Sequence, residues 1–124
     1  MISRIWHGWT TPKNADAYEE LLKREVFVGI RGRKIPGFQS IQLFRRDLGA
    51  EPGPSVPLGG TAVASAGVVE VEFVTVMWFD SLESVRIFAG EDYEVAVVPP
   101  AARALLSRFD ARSQHYQVRA ALQA

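Results

Sequence analysis

The sequence contains no cysteine. That removes disulfides, thiolate metal ligands and a cysteine nucleophile, and it fits a reducing compartment. It also lacks an excess of charge. Fourteen basic side chains face fourteen acidic ones, so no net field draws the chain towards nucleic acid or an acidic membrane surface. Long apolar runs are missing as well. Glu, Gly or Pro interrupts each one well before the ~20 residues that a membrane helix needs. The N-terminal Met-Ile-Ser-Arg-Ile-Trp-His-Gly-Trp alternates and makes no signal-peptide core. A cytoplasmic protein with neither nucleic acid nor membrane as partner is expected.

What is present is ordinary for a globular chain: 124 residues, 48% hydrophobic and 23% charged, enough for one domain with its own core. Residues 2–9 read as a strand, with Ile2, Arg4 and Trp6 on one face and Ser3, Ile5, His7 and Trp9 on the other. Thr11 as N-cap and Pro12 at the first helical position start a helix. Ala15, Tyr18, Leu22 and Val26 supply its buried stripe, and Pro36-Gly37 ends it. Strands are predicted over 38–48 and 68–79. Between them lies a Gly-, Pro-, Ala- and Ser-rich insertion at 49–67, about three times the usual hairpin length.

Asp80 with Glu83 makes an acidic capping box, a better helix start than Ser81. Leu82, Val85 and Phe88 face inward on that helix and Gly90 closes it. A second helical segment over 91–98, whose Val-Ala-Val-Val run fits a strand as well, a third over 101–109 and a strand over 112–119 complete the chain.

Four strands and two helical regions in the order β-α-β-β-α-β predict a single ferredoxin-like α+β domain over residues 1–124. Its antiparallel sheet carries helices on one face. The other face is too apolar to stay wet, so a homodimer is expected. In this topology the first and last strands lie close, which would bring His7 and His115 near each other.

Four side chains are candidates for a catalytic site. His7, between Trp6 and Trp9, is either a satisfied, partly buried histidine or a pocket base at the rim of a helix-side cavity. His115 has the same two readings. Trp78 belongs to the core or an interface, or else stacks on an aromatic ligand. Tyr93 either makes a structural hydrogen bond or orients a phenolic substrate. Arg4, Arg45 and Arg46 read as surface charges, with Glu70 and Glu72 pairing with such groups across the sheet. No HxxxH or HxxE spacing supports a metal site, and no cofactor is expected.

Ile5-Trp6-His7-Gly8-Trp9-Thr10 and Phe73-Val74-Thr75-Val76-Met77-Trp78-Phe79-Asp80-Ser81-Leu82-Glu83-Ser84-Val85 resemble the antibiotic biosynthesis monooxygenase family. So do Phe88-Ala89-Gly90-Glu91-Asp92-Tyr93 and His115-Tyr116. The resemblance implies a dimeric α+β barrel of two facing sheets, each subunit with a pocket between helices and sheet. It also implies one of two activities. Some members oxidise aromatic polyketides with O₂ and no cofactor; others bind and degrade haem. The haem degraders use an Asn on the first strand, a Trp on the helix after the third strand, and a His beyond it. At those places this chain has His7, Phe88 and Val97 or Val98, and all three count against haem degradation. The quinone-forming type uses Asn, Trp, Tyr and Arg, for which Trp78 and Tyr93 are the nearest counterparts. The expectation is therefore a small monooxygenase for a hydrophobic, aromatic or polyketide-like substrate. A ligand-binding or haem-binding dimer of the same fold is the alternative.

Overall fold

A computed structural model describes residues 1–49 and 67–124. Strand β1 (Ile2–Thr10) leads through Thr11 into helix α1 (Pro12–Leu21), whose first turn is capped as its sequence predicts: Thr11 accepts from the Asn14 amide at 3.3 Å. The helix does not stop at Leu21. It loosens into one π-helical turn at Leu22–Val26 and tightens again as α2 (Phe27–Gly32). Ala15, Tyr18 and Leu22 are buried along its inner side.

Strands β2 (Phe38–Gly49) and β3 (Val68–Phe79) follow, and the expected insertion at 49–67 falls at 50–66 outside the described residues. Helices α3 (Leu82–Ala89) and α4 (Pro100–Leu105) come next, then the short strands β4 (Arg108–Phe109) and β5 (Gln114–Gln117).

The sheet is antiparallel throughout, in the order β2-β3-β1, with β4 and β5 both on the free side of β1. The result is an open α+β sheet with helices packed on it, compatible with a ferredoxin-like fold. Directly opposed residues of an antiparallel pair share a face, so the register assigns every side chain. Ile2, Arg4, Trp6 and Thr10 of β1 lie with Val71, Phe73, Thr75, Met77 and Phe79 of β3. This is the helix side, and both clusters of the hydrophobic core are built on it. Ser3, Ile5, His7 and Trp9 lie with Glu72, Val74, Val76 and Trp78 on the opposite, open face.

Three local expectations change. Ser81, not Asp80, caps α3: its Oγ accepts from the Ser84 amide at 3.3 Å, while the Asp80 carboxylate accepts from Gln39 Nε2 at 2.7 Å. Cross-strand pairing takes the Asp80 side chain out of the capping position. Residues 91–98 form turns and one bridge, Val95 to Arg112, instead of a helix. Their Tyr93 and Val95 carbonyls are captured by the Arg4 guanidinium, which removes them from any helical ladder. The helix predicted over 101–109 ends at Leu105, because Ser107 and Phe109 turn back onto β1, where the Ser107 amide donates to the Trp9 carbonyl at 2.8 Å.

Candidate functional site

Strand β1 alternates Ile2, Arg4 and Trp6 towards the core, so a cation sits inside an otherwise apolar stripe. Arg4, expected at the surface, is 3% exposed. Nη1 donates to the Tyr93 carbonyl, Nη2 to the Val95 carbonyl at 3.1 Å, and the group lies 5.4 Å from the Phe88 ring centre. Buried charges are ordinarily paired with an opposite charge. Among the described residues no carboxylate lies within ion-pair distance of Arg4. Burial lowers its pKa to about 10, so the guanidinium stays protonated at neutral pH.

His115 lies across the β1–β5 ladder from Arg4, with its Nε2 at 3.1 Å from Arg4 Nη1. Arginine can only donate, so Nε2 is the acceptor and the neutral ring carries its proton on Nδ1. That Nδ1 is buried with no hydrogen-bond partner among the described residues. Burial first, and the Arg4 charge second, pull the His115 pKa down to about 4. The Tyr93 ring meets the imidazole edge-on at 5.1 Å.

Arg4 forms part of the wall of a chamber of about 60 Å³ between helices and sheet, with Trp6, Tyr18, Leu22, Met77, Phe88 and Ser113 among the other lining residues. Among the described residues no acidic side chain lines it. Burial raises the Tyr18 phenol well above its ordinary value, so that hydroxyl is neutral. A groove of about 410 Å³ lies alongside, lined by Leu21, Glu25, Gly29 and Arg33 and sharing Val26, Ile30, Phe88, Val97 and Pro99 with the chamber. Phe88 therefore faces both spaces. Arg4 approaches its ring from the chamber, and Arg33 lies 5.3 Å from the same centre while donating to the Ile87 and Phe88 carbonyls. The π-helical turn supplies Leu22 and Val26 to this wall. Such turns recur at functional sites because they push side chains out of α-helical register.

The four expected site residues divide between the two faces. His115 and Tyr93 stand beside Arg4. His7, expected at the rim of the helix-side cavity, is on the open face, because Arg4 and Trp6 occupy the inward positions of β1. There its Nδ1 lies 3.2 Å from Glu72, whose other oxygen accepts from Arg46. Burial would raise the Glu72 carboxyl, but donation from Arg46 and His7 outweighs it and holds the group below its ordinary value. The His7 ring stacks on Trp9, over which Arg108 lies at 4.0 Å while bonding Glu70. Both glutamates thus pair across the sheet as their sequence positions predict.

Trp78 also lies on the open face, donating from Nε1 to Gln42 at 2.8 Å. β5 does pair with β1, but His115 is opposite Arg4, and the two histidines point to opposite sides of the sheet.

Sequence reasoning placed Arg4 at the surface and Phe88 on the inward side of its helix, and named neither as a site residue. The signal for Arg4 was a cation alternating with Ile2 and Trp6 on the apolar face of a strand. No protein-family model matches the chain, and no curated protein matches it.

Proposed function

We propose that this protein is a small oxygenase whose hydrophobic aromatic substrate enters between the helices and the sheet. The observation that carries the reading is the apolar groove of about 410 Å³ set against the inner chamber. Its volume lies within the range that drug-sized ligands occupy, whereas the chamber of about 60 Å³ takes a substituent only. The resemblance to the antibiotic biosynthesis monooxygenase family supplies the reaction. An electron-rich hydroxyaromatic gives an electron pair to O₂, forming a carbon-bound hydroperoxide; loss of the proton on that carbon then breaks the O–O bond, leaving one oxygen atom as the new quinone carbonyl and releasing the other as water. No oxidant besides O₂ is needed. A dry, apolar site favours electron transfer from the desolvated substrate.

In this proposal His115 and Tyr93 contact Arg4 without lining the chamber or the groove, and His7 and Trp78 lie on the opposite face of the sheet. The open face carrying them would instead pack on a second copy. The experiment is O₂ uptake with dihydroxynaphthalene and anthrone substrates and no added cofactor. One O₂ consumed per quinone formed, and at least a tenfold loss on narrowing the groove with Val97→Trp, supports the enzyme. Tight binding of these compounds without oxygen uptake assigns the protein to ligand capture instead. That second reading is favoured by His115: with Nε2 accepting from Arg4 and a pKa near 4, it is a poor base at neutral pH. The same engaged nitrogen makes it a poor axial ligand for haem, and a titration without a Soret band would remove haem altogether.

A further inference from the structure

The helix-side pocket contains a buried charge to which the reading above assigns no role. Arg4 is 3% exposed, borders the chamber, and among the described residues meets only backbone carbonyls, a neutral imidazole and an aromatic face. These are dipoles; none carries the negative charge that normally accompanies a buried cation. Tyr18, Thr75 and Ser113, the other polar side chains lining the chamber, are also neutral. His115 adds a second sign of the same imbalance. Arg4 takes its acceptor nitrogen, so the remaining Nδ1–H is a buried donor without an acceptor among the described residues. This corner is rich in donors, and the carboxylate that acts on it, Glu94, is itself paired with Arg112. A purely structural arginine tying β1 to the 93–95 segment would be served as well by a neutral donor, at far lower desolvation cost.

We infer that the natural ligand carries a compact oxyanion, a carboxylate or phenolate, which occupies the chamber against Arg4 while its aromatic body lies in the groove beyond Phe88. The two volumes divide in that way: about 60 Å³ accommodates a carboxylate-sized group and about 410 Å³ one or two fused rings. This rests on the pocket reading above and narrows it to ionised aromatics. A phenolate held there would stay ionised next to the cation, which is the form that reacts with O₂.

The test compares 2-naphthoate with its neutral isostere 2-naphthamide at pH 7.5, by calorimetry on the intact protein. Naphthoate is expected to bind at least about tenfold more tightly, as a charge-assisted hydrogen bond in a desolvated site would give. Arg4→Gln should reduce that ratio to about one while leaving amide binding in place. Should Arg4→Gln fail to fold, the wild-type ¹⁵N spectrum decides. The Arg4 Nε–H resonance must move on naphthoate addition and stay put with the amide. Equal binding of both probes, weakened by Val97→Trp, keeps the pocket and overturns the oxyanion. An Arg4 resonance unmoved at saturating naphthoate overturns it too. Failure of both probes to bind at all defeats the pocket and this inference together.

Discussion

At the scale of single residues, Arg4 and His115 show how one buried cation sets the properties of its neighbour. Burial is the larger cause of the low His115 pKa, and Arg4 adds to it by committing Nε2 as an acceptor and repelling a second positive charge, so the imidazole stays neutral to about pH 4. In the unfolded chain it titrates near the ordinary value of about 6.5. The folded pKa is the lower one, so protons bind preferentially to the unfolded state below that value. Stability from this group is therefore fully present above about pH 6.5 and is lost progressively as pH falls towards 4. Urea midpoints measured between pH 7.5 and 4.5 should fall more steeply for the wild type than for His115→Gln. Parallel curves would show that His115 is not held neutral. Glu72, also depressed, adds its own loss in both proteins only at the acid end of that range. Arg4 itself was visible in the sequence as a charge on an apolar stripe. Its burial was not, because a strand pattern shows that residues share a face but not which face is covered.

At the scale of elements, local chemistry explains most starts and stops. Thr11 and Pro12 open α1, and Gly90, with φ of +97°, closes α3. The start of α3 shows where local rules compete. Asp80-Ser81 offers two caps, and Gln39 of β2 takes the first, leaving Ser81 to satisfy the helix amides. Ser81→Ala should cost about 1 kcal/mol, the usual worth of a cap, and Asp80→Ala clearly less. Thermal or urea unfolding of the two variants measures the difference, and the reverse order would restore the acidic capping box.

The turn before β2 is bound to the same helix start. Gly37 has φ of +82°, its carbonyl accepts from the Asp80 amide at 2.8 Å, and a Cβ there would meet Ser84 Oγ at 2.0 Å. Only glycine fits on both counts. The π-helical turn has no comparable signature, since Leu22–Val26 continues the helical pattern of α1 without interruption.

At the scale of the whole molecule, the helices among the described residues all pack on one side of the sheet. Phe44 and Tyr116 are each more than half exposed on the opposite face, which also presents Ile5, Val74, Val76 and Trp78. A homodimer through this face remains our proposal, and a stable one would bury on the order of 800 Å² per subunit. Sedimentation should give a dimer for the wild type and a monomer for Phe44→Glu with unchanged circular dichroism. A monomeric wild type at micromolar concentration would sink it. No helix among the described residues is long and apolar enough to cross a membrane.

The two main helices, the Thr11 cap and the two faces of each long strand follow from side-chain period and backbone chemistry, which act over a few neighbouring residues and can be read in one dimension. The site depends on relations between distant segments. His7 and His115 were both legible as candidates, yet their separation rests on the register of β5 against β1, which puts His115 opposite Arg4. The loss of helix at 91–98 likewise needs a guanidinium some ninety positions away. Packing chose which face of β1 to cover, and that choice moved the candidate site from His7 to Arg4.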